Sequence, residues 1–247
     1  MSGLATLLVL ADGRLPSGGH AHSSGLEAAV VAGRVADLDS LAGFLTGRLA
    51  TGGRTAAAFA AAAAAGAAAA AAGAAAAAAG AAAAAAAGAR AEAADDAATR
   101  LDALDEGLDA RTPSPALRRA SRTQGRALLR AGRGIWAMPT DGRRDRHQPV
   151  ALGAVAAAAG LGPADAALAA AYGLVTGPAS AAVRLLGLDP YAVHGLLARL
   201  APQIDAVAAE TATMAGWPVD ELPAGSAPVP EVDAEHHATW EVRLFAS

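Results

Sequence analysis

Apolar residues recur at helical spacing along most of the chain. Leu4, Leu7, Leu8 and Ala11 predict a short first helix that stops at Asp12. The loop 14–24, with Pro16, Gly18 and Gly19, leads to a helix starting near Gly25, with Leu26, Ala29, Val30 and Gly33 on one face. Asp37 suits the position before a helix, where its carboxylate can accept the first unpaired amides. Leu38, Leu41, Leu45 and Leu49 form the inner stripe of that third helix.

Residues 56–91 are a low-complexity tract of alanine and glycine, in which Gly66, Gly73 and Gly80 fall seven apart and Gly88 follows. Positions seven apart stay on nearly one helix face. The glycines therefore mark either a close helix–helix seam or a repeat expansion in a permissive helix, and the second reading is preferred. The next segment is acidic (Glu92, Asp95, Asp96, Asp102, Asp105, Glu106, Asp109), with an apolar stripe of Leu101, Leu104 and Leu108. Ser114-Pro115 starts another helix. On it, Leu117, Ser121, Gln124, Leu128 and Ala131 share a face, and Arg118, Arg122, Arg126 and Arg130 form a row. That row is either a docking face or the counter-charge of the acidic helix before it, and the second is the simpler account.

A loop with Gly132, Gly134, Pro139 and Gly142 precedes helices expected over 149–159, 163–175 and 178–186, with Gly160 and Gly187 as stops. Asp189-Pro190 opens a last helix, with a kink expected at Pro202. After Met214 the periodicity ends in a proline-punctuated segment, and no strand pattern of useful length occurs. The expected fold is all-α: one compact multi-helix domain over 1–214 and a Pro-rich, partly flexible C-terminal tail over 215–247.

Composition narrows the chemistry. The chain is 54% hydrophobic but only 3% aromatic, and alanine dominates, so the core gains little buried area per residue. All 19 basic residues are arginine, the net charge is −4 and there is no cysteine. The net negative charge disfavours bulk nucleic-acid binding. The missing cysteine removes thiolate metal sites, thiol nucleophiles and disulfides. The tract from Thr55 to Ala89 is nearly pure alanine and glycine, with no Leu, Ile or Val, so no span is expected.

Pro16, Gly18, Gly19, His22 and Gly25 shape the most unusual local feature, a glycine-rich turn leading into a helix. It lacks the Gly-Lys-Ser/Thr ending of a phosphate loop. His20 and His22 are weak metal candidates, too few to hold an ion alone. Ser23 or Ser24 beside His22 lacks an identifiable third member of a catalytic triad. The plain reading is a turn whose serine or histidine satisfies the first helix amides. His147 reads as a cap or solvated residue, His194 as packing, and His236 and His237 as solvated. The acidic residues cluster on a helix expected to be exposed. Trp240, Val242, Leu244 and Phe245 are different: such residues at the end of a Pro-rich segment either pack back onto the body or dock into a partner.

Several segments together resemble the urease accessory protein F (UreF) family. They are Leu10-Ala11-Asp12, Leu15-Pro16-Ser17-Gly18-Gly19, His22-Ser23, Gly25-Leu26-Glu27, Ala120-Ser121 with Gly125, His147 and Pro149 with Gly153, Ala181-Ala182-Val183-Arg184-Leu185 with Leu188, and Arg243-Leu244-Phe245-Ala246-Ser247. His20, where an aromatic is usual, and Asp189-Pro190 depart from the family pattern. The resemblance implies an all-α, cytoplasmic, non-enzymatic protein without a cofactor, commonly a dimer. It implies a bridge between the UreD/UreH accessory protein and the GTPase UreG during nickel delivery to apo-urease. Glu27, Arg184, Arg243, Leu244, Phe245 and Ser247 are the partner-binding residues it suggests. Two other readings stand beside it: a nickel-binding chaperone using His20 and His22, and a hydrolase built on the serine–histidine loop.

Overall fold

Side chains at the chain's turns set where the helices begin. The Asp37 carboxylate accepts the Ser40 amide at 2.8 Å, and the Ser40 hydroxyl accepts the Asp37 amide at 3.1 Å. This reciprocal cap starts α3 (Leu38–Arg48). The Ser114 hydroxyl accepts the Leu117 amide and starts α6 (Pro115–Ile135). Asp189 accepts the amides of Tyr191 and Ala192 and starts α9 (Pro190–Ala212). Gly160 and Gly187, at φ 76° and 65°, follow the ends of α7 (Gln148–Ala158) and α8 (Pro163–Leu186). The structure, a computed structural model, describes residues 3–80, 83–136, 138, 143, 145–225 and 227–246. These residues contain helices and turns and no strand, as the periodicity predicts.

The remaining helices are α1 (Leu4–Ala11), α2 (Leu26–Val31), α4 (Arg54–Gly80), α5 (Ala83–Arg111) and α10 (Pro228–Ala238). A π-type turn, Leu49–Gly53, joins α3 to α4. Helix α4 is the central element, packed by α5, α7, α8 and α9. Every residue from Ala57 to Ala64 is completely buried. Alanine lets the neighbouring backbones come close: a Cβ on Gly153 of α7 would lie 2.3 Å from the Ala60 carbonyl. Part of the alanine tract is thus core.

Helices α4 and α5 form an antiparallel pair. A Cβ on Gly66 would lie 3.0 Å from Arg100 Cγ, and one on Gly73 would lie 3.4 Å from Ala93 Cβ. These two glycines line a seam between the helices, contrary to the reading of a mere expansion, whereas Gly88 faces open space.

The structure corrects other expectations. The helices expected over 163–175 and 178–186 are one helix with Pro178 inside it. Proline removes one backbone donor, but Val175, Pro178 and Ala179 are buried and hold the helix on both sides. Pro202 likewise lies inside continuous α9. Helix α6 continues past Gly132, where α7 presses so closely that a Cβ would sit 2.6 Å from Val155 Cγ2; Pro139 and Gly142 lie outside the described residues. Beyond Met214, where no helix was expected, α10 forms.

Two helical runs, Leu38–Gly73 and Pro163–Leu186, are long and apolar enough to cross a membrane by length and composition. Both contribute to the core of the domain.

Candidate functional site

The N-terminal turn and the C-terminal segment meet on α2. Gly18 at φ 76° and Gly25 at φ 86° turn the chain through a conformation that side chains disfavour. They flank a 3₁₀ turn, Gly19–Ala21. The Ser23 hydroxyl accepts the Glu27 amide at 3.2 Å, so the serine satisfies a free amide of the first turn of α2, as the sequence suggests.

Glu27 then points away from its own helix. Its Oε1 accepts the Leu244 amide at 2.7 Å, and its Oε2 accepts the Phe245 amide at 3.0 Å. Oε2 also lies 2.9 Å from His237 Nε2, and the two side chains are 8% and 4% exposed. Burial alone raises the Glu27 carboxyl, but the two amides and His237 outweigh it and hold the group below the ordinary carboxylate range.

The next contacts close the arrangement. The Ala246 amide donates to the Ala21 carbonyl at 2.8 Å. The Arg184 guanidinium stands 4.4 Å from the centre of the buried Phe245 ring and donates to the His20 carbonyl at 3.1 Å. Five of the six partner-binding candidates can be placed. Glu27, Arg184, Leu244 and Phe245 make one cluster. Arg243 lines an adjoining cavity of about 240 Å³ with His22 and His237. Ser247 lies outside the described residues.

His237, expected to be solvated, is buried and is the site residue that the sequence reading missed. The available signal is weak: Ala234 and His237, three apart, are the buried positions of a helix whose valines face outward. The tail reaches this position through acidic contacts. Glu231 accepts the Ser114 amide at 2.9 Å, Glu235 accepts the Ala116 amide at 2.7 Å, and Asp233 pairs with Arg34. The two glutamates sit at the N-terminus of α6, where free amides favour negative charge. Val242 and Leu244 remain 90% and 63% exposed.

The histidines of the turn separate. His20 is exposed, whereas His22 is buried and is held below its usual range by burial and by His20. Among the described residues no group of three or more histidine or carboxylate side chains is placed to hold a metal ion.

A second network joins α5, α6 and the start of α7. Asp105, on the helix expected to be exposed, is 1% exposed and accepts from Arg122 at 2.7 Å and from the His147 amide at 2.6 Å. Arg122 also reaches Asp109 at 2.6 Å, and Arg118 approaches it at 3.9 Å. This part of the arginine row answers the acidic helix, as the simpler account holds. Buried Arg146 pairs with Asp102 at 2.8 Å.

His147 lies between Ser121 Oγ at 3.0 Å and Asp109 Oδ1 at 2.9 Å. The connectivity is that of a serine–histidine–carboxylate relay, but its members serve the fold. Ser121 Oγ accepts the Gln148 amide at 3.1 Å, Asp109 is shared with Arg122, and His147 is 1% exposed. Burial holds His147 below its usual range against the pull of Asp109 and Asp105. His194, expected to pack, is exposed and bonds the Pro190 carbonyl.

Comparison with known proteins gives a consistent result. The family model described as UreF matches residues 35–201. The urease accessory protein UreF of Mycobacterium sp. (strain JLS) is 43% identical over 250 residues, covering all of both chains. That of Mycolicibacterium vanbaalenii is 43% identical over 249 residues, again covering all of both. That of Mycobacterium tuberculosis (strain H37Rv) is 40% identical over 214 residues, covering 85% of this chain and 86% of its own.

Proposed function

This chain belongs to the UreF family of urease accessory proteins, and from that premise we propose that it acts in urease maturation as an adaptor. In this reading it links the UreD/UreH accessory protein to the GTPase UreG, modulates GTP hydrolysis, and supports nickel insertion into apo-urease. It works in the cytoplasm, as a homodimer within the assembly, and carries out no reaction of its own. Nickel is the cargo of the assembly.

The observation that carries the adaptor reading is the form of the C-terminal segment. Its backbone is fixed to Glu27, while Val242 and Leu244 turn outward. Ordered apolar side chains projecting from a fixed backbone suit a partner interface, because little ordering entropy remains to oppose binding. The UreD/UreH protein is the partner assigned to this surface.

Deleting residues 216–247 is expected to abolish co-purification with UreD/UreH. Undiminished capture by the truncated chain, shown to be folded by circular dichroism, overturns the assignment. Adding the full chain and UreD/UreH to UreG is expected to change its GTP turnover; an unchanged rate removes the modulating role.

A further inference from the structure

Arg48 ends α3, where the π-type turn Leu49–Gly53 begins. It lines a groove of about 470 Å³ bounded by α3, α6, the start of α7 and the segment leading into α10. The other charged or titratable groups on the groove wall are engaged. Arg111 donates to the carbonyls of Gly107, Val219, Asp220, Leu222 and Pro223. His147 is held between Ser121 and Asp109, and Glu231 accepts the Ser114 amide.

Arg48 differs from all of these. Its Nε is closed to solvent and has no hydrogen-bond partner among the described residues. Its described contact is the Phe44 ring, 5.8 Å away. Burial lowers its pKa to about 10, so it stays cationic at neutral pH, and no carboxylate contributes to the shift. Arg48 as a whole is half-buried, and a partly desolvated cation to which no carboxylate is seen to pair is relieved when an anion arrives.

A guanidinium pairs with a carboxylate through two parallel hydrogen bonds. The groove is larger than a free ion needs, and Phe44, Leu117 and Leu174 give it apolar walls. An acidic side chain carried on a polypeptide matches both features. We propose that the Arg48 groove receives an acidic side chain of a partner protein, whose carboxylate closes on the guanidinium. The inference rests on the adaptor reading for the identity of that partner. It differs from the surface assigned to the C-terminal segment.

The test compares the full-length protein with Arg48→Gln and Arg48→Lys. Calorimetric titration against purified UreD/UreH and UreG is expected to show at least a 10-fold weaker Kd for Arg48→Gln with one of them. Arg48→Lys should recover part of the loss. The Arg48→Gln chain should melt at the wild-type temperature or above, because it sheds an uncompensated charge. A lower melting temperature marks a structural arginine and overturns the proposal, as does unchanged affinity for both partners when the wild type binds.

If the wild type binds neither protein, the adaptor reading fails, and the groove is judged by a direct probe. The Arg48 Nε–H resonance, assigned with the Gln variant, should shift with N-acetylglutamate. No shift, or a shift with inorganic phosphate alone, overturns the carboxylate assignment.

Discussion

The carboxylate of Glu27 accepts the amide of Phe245 at 3.0 Å, across 218 positions of sequence and in a buried position. One side chain on a six-residue helix thus holds the far end of the chain. Hydrogen bonds to a charged acceptor contribute about 1.5–3 kcal/mol, and Glu27 also receives Leu244 and His237. Glu27→Gln keeps the shape and removes the charge. It is expected to speed exchange of the Leu244, Phe245 and Ala246 amides by roughly 10- to 100-fold, at about 1.4 kcal/mol per tenfold, with core amides unchanged. Hydrogen exchange read by mass spectrometry decides this, and equal rates in the two chains refute the anchor.

The same carboxylate sets a pH dependence. Its folded pKa lies below the unfolded value, so its contribution is fully present above the ordinary carboxylate range. That contribution is lost as pH falls below the ordinary carboxylate range and through the folded value. His147 acts in the same direction at higher pH. Its folded pKa is depressed from 6.5, so the folded state resists protonation, and stability present above that value declines as pH falls below it. The melting temperature is expected to drop between pH 7 and pH 5. His147→Gln should be less stable at pH 7 but show a shallower drop. A wild-type profile that is flat over this interval excludes the histidine contribution.

Much of this fold was legible because its signals are local. The caps at Asp37, Ser114 and Asp189 and the leucine stripes of α3 and α5 act within a few residues, and they appear where the pattern puts them. What escaped depends on distant partners. Helix α10 has no inward apolar stripe: Val229 and Val232 are exposed, and glutamates that cap another helix hold it in place. His237 is buried because Glu27 lies opposite, which spacing within the tail does not encode. Glu27 and Arg184 were named through the family resemblance, and neither the acidic pattern nor the arginine spacing singled them out.

Gly125 gives a sharp test of the second network. A Cβ there would lie 1.9 Å from the Arg146 carbonyl and 3.2 Å from the Gln148 amide nitrogen, both rigid backbone atoms. Gly125→Ala must push α6 from the Arg146–His147 segment and disturb the buried pairs of Arg122 and Arg146. Overpacking of this kind costs about 1–3 kcal/mol or more. Gly43→Ala is the control: it sits in α3 with nothing within 4 Å of the added carbon, and helix propensity predicts a gain of about 1 kcal/mol. Urea unfolding should move the two midpoints in opposite directions. Similar midpoints would contradict the close backbone crossing.

Leu244 separates the fold from the interface within a single residue. Its amide is spent inside on Glu27, while the residue is 63% exposed. Leu244→Asp should therefore leave the melting temperature within about 1–2 °C of wild type, since exposed substitutions change stability by about 0.5 kcal/mol or less. The same change places a charge in the apolar surface assigned to UreD/UreH, where burial without a partner is costly. Co-purification with UreD/UreH should fall at least 10-fold. Phe245→Ala should behave differently, because its ring is buried under Arg184: it should loosen the tail itself and lower both stability and capture. If Leu244→Asp destabilised the isolated chain as much as Phe245→Ala, the outward side chain would belong to the fold. If it left capture unchanged, UreD/UreH would have to bind elsewhere.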